Sequence, residues 1–215
     1  MPIVAFLSRM TIDEIRRAIC NFSREYSVDW QRWQQCSGMA LNGSRVETFG
    51  SILRKWQATR PNPMRRSKRE NAHSSPFLDD LIEQAAPFIK QIDGVSLRTL
   101  ENLQQSQADA MSSLWNTFSD LTSRGRATCV GITKAIMLLT DGRIGPAFDS
   151  IVRRKLGISA PASATTWLEA LKAIGSDLKT FEERNGCQIE TLVPEEWVPL
   201  NVGRVYDMIA GPRYR

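Results

Sequence analysis

One stretch near the middle of the chain, residues 127–157, constrains the fold more than any other part of the sequence. It begins with small residues around Gly131 and continues as an apolar run over residues 132–139. A glycine- and proline-rich break at 141–146 follows, and then Asp149 precedes a short basic segment. Because proline removes a backbone donor and glycine disfavours helix, the break separates two helices. Asp149 is well placed to cap the second helix, since aspartate is a preferred N-cap residue.

Helical periodicity extends over much of the remaining chain. Thr11 and Glu14 form a capping box in front of an amphipathic segment. Apolar spacing predicts further helices over residues 46–56, from Ser75 and Pro76 to 92, from Ser96 to 121, over 165–183 and over 202–210. Strand-like alternation is nearly absent. We therefore expect an all-α protein of about eight to ten helices.

Composition excludes several kinds of site. The chain has 215 residues, of which 42% are hydrophobic, as is typical of a folded globular protein. The four cysteines are far apart, which argues against zinc, an iron–sulfur cluster or a disulfide framework, and a reducing cytoplasm is expected. His73 is the single histidine, which disfavours histidine-dependent catalysis and histidine-ligated metals. We expect no metal and no cofactor.

The charge balance and hydropathy bear on partners. A formal net charge of +5 suits a polyanionic partner, although many basic proteins bind no nucleic acid. Residues 60–75 form a basic, proline-containing loop or hinge, and its run from Arg65 to Arg69 is more often a solvated loop than a DNA clamp. No apolar run approaches the length that spans a membrane, so no membrane partner is expected.

The central stretch resembles the helix-hairpin-helix base-excision DNA glycosylases. Their pattern is roughly L-P-G-V-G-x-K-T-A, an apolar helix, then V-D-T-x-V-x-R and a closing L-G. Residues 130–135, VGITKA, lie over V-G-x-K-T-A, and residues 148–154, FDSIVRR, lie over V-D-T-x-V-x-R. Two positions depart from the pattern, because Thr128 replaces the proline and Cys129 replaces the first glycine of the hairpin.

The resemblance implies an all-α fold of two helical lobes with a cleft between them, all within one unit, 1–215. Residues 75–160 would form a central lobe that carries a hairpin at 127–135 and the acid at 149. Residues 1–60 and 161–215 would form the second lobe. The implied partner is double-stranded DNA, bound by a monomer. The residues implied to bind DNA are Cys129, Val130, Gly131, Thr133, Lys134 and Arg153, with hairpin N–H groups near a phosphate.

The resemblance also implies a reaction. Asp149 would face the sugar of a flipped-out nucleotide, where it could stabilise an oxocarbenium-like cation or activate a water molecule. The lysine nucleophile of the bifunctional relatives falls on Thr133, and Lys134 is expected to point elsewhere. We therefore expect a monofunctional DNA N-glycosylase that leaves an abasic site. Damaged bases and the bulky modified bases of phage DNA are candidate substrates, which raises a role in antiviral defence.

Other readings stay open. Asp149 could be an N-cap alone, and Lys134 and Arg153 could be ordinary surface charges. Four tryptophans are expected mainly in the core, with one of them stacked on the extruded base: Trp30, Trp33, Trp56 and Trp115. The chain could instead be a non-catalytic helix-hairpin-helix module that binds DNA, or an all-helical interaction protein in which the turn and the acid are coincidental.

Overall fold

The computed structural model describes residues 4–22, 24–36, 43–70, 76–197 and 199–211, with only the backbone described at 24–26. Within these ranges the protein is all-α, as the sequence predicts, and an isolated β-bridge pairs Met64 with Thr122. The helices are α1 (Ile12–Cys20), α2 (Arg24–Gln35), α3 (Gly43–Lys55), α4 (Leu78–Gln91), α5 (Gln105–Ser119), α6 (Cys129–Leu139), α7 (Ser150–Leu156), α8 (Ala164–Asn185) and α9 (Val202–Ala210).

Local sequence signals account for several helix ends. The capping box of Thr11 and Glu14 is present at the start of α1, as expected. Asp149 caps α7, and Gly157 ends it in the left-handed conformation with φ of 67°. The last helix, α9, has the bounds that the apolar spacing predicts.

Two predicted helix starts are wrong. The helix expected from Ser96 begins nine residues later, at Gln105. Its first part is a turn in which Ser96 N–H donates to the Thr99 hydroxyl, followed by a 3-10 turn over Leu100–Asn102. Such local side-chain bonds compete with helix formation. The helix expected from Pro76 begins at Leu78, and Ser75 lies outside the described residues.

The helices pack around one continuous apolar core. Helix α5 contacts α4, α6 and α8, while α9 contacts α1 and α7. Helix α3, which the sequence analysis assigns to the second lobe, packs on α4 and α6 of the central lobe. The division into two lobes stays a prediction. No helix of the described ranges combines the length and the apolar character needed to cross a membrane.

A buried carboxylate joins the N-terminal arm to α8. Asp177 is 2% exposed and accepts hydrogen bonds from the backbone N–H groups of Phe6, Leu7 and Ser8 at 2.8–3.1 Å. The Tyr206 hydroxyl of α9 donates to the same carboxylate at 2.9 Å. Burial, together with the charge of Asp177, raises the pKa of Tyr206, so the tyrosine remains a donor. One side chain thereby connects three elements.

Replacing Asp177 with alanine should destabilise the protein strongly. Several buried donors lose their acceptor, and each unsatisfied group costs about 1–3 kcal/mol, so we expect a loss of at least about 3 kcal/mol. Urea unfolding measures it. The matched control is Glu183→Ala on the same helix, where an exposed carboxylate lies 4.0 Å from Lys179 and should matter by less than about 0.5 kcal/mol. Similar losses for the two variants would contradict this account.

Candidate functional site

The segment that links α6 to α7, residues 140–149, is fixed by bonds to two helices. The carbonyl oxygen of Gly142 accepts the Arg204 N–H at 2.9 Å. Ala147 N–H donates to the Asp207 carboxylate at 3.0 Å, and Phe148 N–H donates to the Thr133 hydroxyl at 2.9 Å. Buried backbone groups bonded in this way leave the segment little freedom. The position of Asp149, the next residue, is therefore set by α6 and α9.

Gly142 is needed where this segment passes closest to α9. Its φ is +76°, in the left-handed region that side-chain-bearing residues rarely adopt. A Cβ atom there would lie 2.6 Å from Cβ of Arg204 and 3.0 Å from the ring of Trp30. The glycine-rich break that was visible in the sequence thus allows the loop to press against Arg204.

Asp149 uses its two carboxylate oxygens differently. Oδ1 caps α7 by accepting the N–H groups of Ile151 at 2.8 Å and Val152 at 2.9 Å. Oδ2 accepts no hydrogen bond from the described residues. The side chain is half-buried and lines a small cavity. Asp149 is therefore an N-cap, and its Oδ2 remains available for another interaction.

The small cavity beside Asp149 has a volume of about 20 Å³. Lys134, Arg204 and Asp207 line it together with Asp149, and its apolar neighbours include Phe22 and Trp56. A space of this size is enough for one water molecule, which needs two to four polar partners. We call it the Asp149 cavity.

Lys134 lies inside the protein and lines the Asp149 cavity. Its side chain is 8% exposed, and Nζ donates to the backbone carbonyl of Trp56 at 2.8 Å. Burial lowers its pKa, while the charges of Asp149 and Asp207 oppose that shift. The expectation that Lys134 points away from the acid is wrong. Its amine is also too enclosed to serve as a surface phosphate contact.

Two residues that the sequence analysis did not select complete the charged group. Nη1 of Arg204 contacts Oδ2 of Asp207 at 2.7 Å, and both residues are buried. Burial raises the pKa of Asp207, and the charge of Arg204 opposes this. The sequence does contain a signal for this pair, because opposite charges lie three positions apart in the otherwise apolar α9.

Three aromatic rings surround the guanidinium of Arg204. Its Cζ lies 4.9 Å from the ring centre of Phe22, 4.8 Å from that of Trp30 and 5.6 Å from that of Trp56. These distances are in the range of cation–π attraction, which is strongest where water is excluded. The rings and Asp207 together allow the cation to remain buried.

The prediction of a hairpin at 127–135 is wrong for most of that range. Residues 129–135, which belong to the expected hairpin at 127–135, are helical, and the turn between α5 and α6 occupies 120–128. Gly125 supplies the left-handed residue of this turn, with φ of 66°. The side chain of Thr128 makes no capping bond, and among the described residues no oxygen accepts the N–H groups of Val130 and Gly131 at the start of α6. N–H groups at helix N-termini are common donors to bound anions.

Several residues predicted to bind DNA have internal roles. Gly131 is needed for packing, since a Cβ there would lie 2.9 Å from the carbonyl oxygen of Ala58. Cys129 is 8% exposed, and burial raises the pKa of its thiol. Thr133 is 2% exposed, and its hydroxyl donates to the Cys129 carbonyl at 2.7 Å. Because the core encloses the side chains of Cys129 and Thr133, any contact of this segment with DNA has to come from backbone N–H groups, and DNA binding at these positions stays a prediction.

Arg153 lies close to the start of α6. Its charge lowers the pKa of the Cys129 thiol against the effect of burial, which indicates proximity. Nε donates to the carbonyl of Phe148 at 3.1 Å, while neither Nη atom has a partner among the described residues. Arg153 therefore retains donors beside the unfilled N–H groups of α6.

A basic loop adjoins the hairpin turn. Ser123 N–H donates to the Pro63 carbonyl at 2.9 Å, and Arg65 N–H donates to that of Leu121 at 2.9 Å. In the basic run, Arg65 also binds the Asp120 carbonyl, and Lys68 forms an ion pair with Asp80 at 2.7 Å. The exposed arginines of the two neighbouring loops are Arg60, Arg66, Arg69, Arg124 and Arg126. We call this set the basic rim.

Comparison of the chain with models of protein families, with curated proteins and with solved structures gave no match. The geometry of Lys134, Asp149, Arg204 and Asp207 therefore has to carry the functional inference. In the described part of the chain these residues meet at one cavity, and the N-terminus of α6 lies close by in sequence.

Thr133→Val should loosen the segment that carries Asp149. Valine has the shape of threonine but leaves the buried Phe148 N–H without its acceptor, which costs about 1–3 kcal/mol. Denaturant unfolding measures the loss. Thr180→Val is the matched control, because that exposed hydroxyl bonds only the Ser176 carbonyl on its own helix, and a change below about 0.5 kcal/mol is expected. Equal stability of the two variants would show that the Thr133 bond does not hold the segment.

Proposed function

We propose that this protein is a DNA N-glycosylase that hydrolyses the bond between a damaged or modified base and its deoxyribose, leaving an abasic site. The observation that carries the proposal is the state of Asp149. One of its oxygens is fixed by the α7 cap, the other accepts no hydrogen bond from the described residues, and the side chain lines a cavity of one-water size together with buried charges. A carboxylate held in this way suits chemistry at a cationic carbon.

The reaction follows from those positions. As the base departs with the electrons of the glycosidic bond, positive charge develops at C1′ of the sugar. Oδ2 of Asp149 stabilises that charge and accepts a proton from a water molecule whose oxygen bonds to C1′. The departing base takes up a proton from solvent and Asp149 returns its proton to solvent, so that one water molecule is added across the broken bond. Because the target must leave the helical stack to be reached, the substrate nucleotide is flipped out of the duplex.

DNA binding is assigned to the hairpin side of the protein. The unfilled N–H groups of Val130 and Gly131 at the start of α6 suit a backbone phosphate. Arg153 and the basic rim add positive charge nearby. Such contacts position a protein on DNA without reading its sequence, so specificity must come from the base site.

We further propose that the enzyme does not cut the strand. The amine of Lys134 donates a hydrogen bond to the Trp56 carbonyl, and the Asp149 cavity beside it has room for one water molecule. Water is therefore the nucleophile that the geometry favours over the amine.

Asp149→Asn should abolish base release while preserving the fold. Asparagine is as good an N-cap as aspartate, so the bonds to Ile151 and Val152 survive and only the charge is lost. Loss of one such electrostatic group typically lowers the rate about 100- to 1000-fold. Mass spectrometry of bases released from a pool of oxidised, alkylated, deaminated and phage-modified duplex DNA provides the measurement.

Asp109→Asn is the matched control for that experiment. Asp109 is an exposed carboxylate on α5 whose partner is Gln105, and its loss should leave the rate unchanged. Full activity of the Asp149→Asn protein would exclude the mechanism. Salt-dependent DNA binding with no base release from any substrate would instead support a non-catalytic DNA-binding module.

Borohydride trapping should give no covalent complex. A lysine that attacks C1′ forms an imine with the sugar, which borohydride reduces to a stable cross-link. With water as the nucleophile, neither the wild type nor Lys134→Met should be trapped on a substrate duplex, while a bifunctional glycosylase in a parallel reaction is. A cross-link that is formed by the wild type and lost in Lys134→Met would overturn this part of the proposal.

A further inference from the structure

A second and much larger cavity adjoins the Asp149 cavity. Its volume is about 610 Å³, and its wall comes mainly from α2, from Trp197 and Leu200, and from α9. Phe22 and Arg204 line both cavities, so the two share a wall. We call the larger one the α2–α9 pocket.

The volumes of the two cavities indicate that they have different roles. The Asp149 cavity, at about 20 Å³, has no room for a nucleobase. The α2–α9 pocket falls in the range of about 300–1000 Å³ that is common for sites binding drug-sized molecules. It is larger than a single unmodified base requires. A base whose sugar lies at Asp149 has this neighbouring space to enter.

The lining indicates what kind of group the pocket accepts. Among the described lining residues there is no acidic side chain, and the single cation, Arg204, is already paired with Asp207. Much of the wall consists of aromatic and aliphatic groups, with Trp30 and Trp197 among them. A charged substituent would gain no opposite charge from these residues, and this favours a neutral occupant.

Two polar atoms of the wall lack partners. Nε1 of Trp30 has no acceptor although the side chain is only 2% exposed, and Oε1 of Gln34 is buried without a donor. The amide nitrogen of Gln34 is committed to the Pro199 carbonyl at 3.0 Å, which fixes the orientation of the amide. Buried polar groups in proteins are nearly always hydrogen-bonded. A bound molecule that both donates and accepts would satisfy the two atoms together.

We propose that the α2–α9 pocket binds a base enlarged by a neutral, hydroxyl-bearing substituent, such as a glycosyl group. Hydroxyl groups accept from the Trp30 N–H and donate to Gln34 Oε1, and the carbon faces of a sugar ring pack on indole rings. This inference rests on the proposed function, since it names the substrate class of the same site. It assigns the specificity of the enzyme to Trp30 and Gln34.

The test compares three duplexes of one sequence that carry cytosine, 5-hydroxymethylcytosine or glucosylated 5-hydroxymethylcytosine at a single position. Binding is measured by fluorescence anisotropy with the Asp149→Asn protein, and base release with the wild type. The glucosylated duplex should bind at least about tenfold more tightly than the others, and it alone should lose its base. Equal binding of the three duplexes would overturn the inference.

Substitutions in the pocket wall test which groups recognise the substituent. Trp30→Phe keeps a ring but removes the N–H, and Gln34→Leu removes the acceptor. Each should reduce the preference for the glucosylated duplex, expressed as the ratio of its affinity to that of the cytosine duplex, about 2- to 10-fold, the usual effect of one lost hydrogen bond. Gln105→Leu, at an exposed position of α5, is the control. Because Gln34 is only half-buried, its variant keeps the test informative if Trp30→Phe is unstable.

Failure of this inference and failure of the proposed function give different results. Release of smaller damaged bases without release or preferential binding of the glucosylated base would refute the pocket assignment and keep the glycosylase. Preferential binding of the glucosylated duplex, lost in Gln34→Leu but without release of any base, would support the pocket and refute the reaction.

Discussion

The site depends on a buried ion pair in the last helix. Arg204 and Asp207 lie one helical turn apart on α9, and each also holds the segment that ends in Asp149. Buried pairs of this kind do little for net stability, but removing one partner is costly because the other charge is left unpaired. The main effect of the pair is therefore to fix the segment between α6 and α7, which ends in Asp149, against α9.

Burial also sets the electrostatics around Asp149. It lowers the pKa of Lys134 and raises that of Asp207, which shows that both groups have lost much of their hydration. Charges interact more strongly where water is scarce, and the proposed mechanism uses this property at the wall of the Asp149 cavity. The hairpin turn and the basic rim, in contrast, are exposed, as a surface that meets a phosphate backbone must be.

Sequence patterns predicted the all-α class, the helix at 202–210 and the cap formed by Asp149, because each depends on neighbours in sequence. They misplaced the hairpin and the environment of Lys134. Helical geometry indicates which way a residue faces, but not that α6 would bring Lys134 under the Trp56 carbonyl, 78 positions away. Arg204, Asp207 and the unpaired atoms of Trp30 and Gln34 became visible only when α2 and α9 were seen to meet.

The central claim is that Asp149 stabilises positive charge at C1′, and it can be measured without knowing the base. Two duplexes are compared, one with a cationic pyrrolidine abasic analogue and one with its neutral tetrahydrofuran counterpart. Because enzymes bind transition-state analogues more tightly than ground states, the wild type should prefer the cationic duplex at least about 100-fold, and Asp149→Asn should lose most of that preference. Equal affinity of the wild type for the two duplexes would contradict the account.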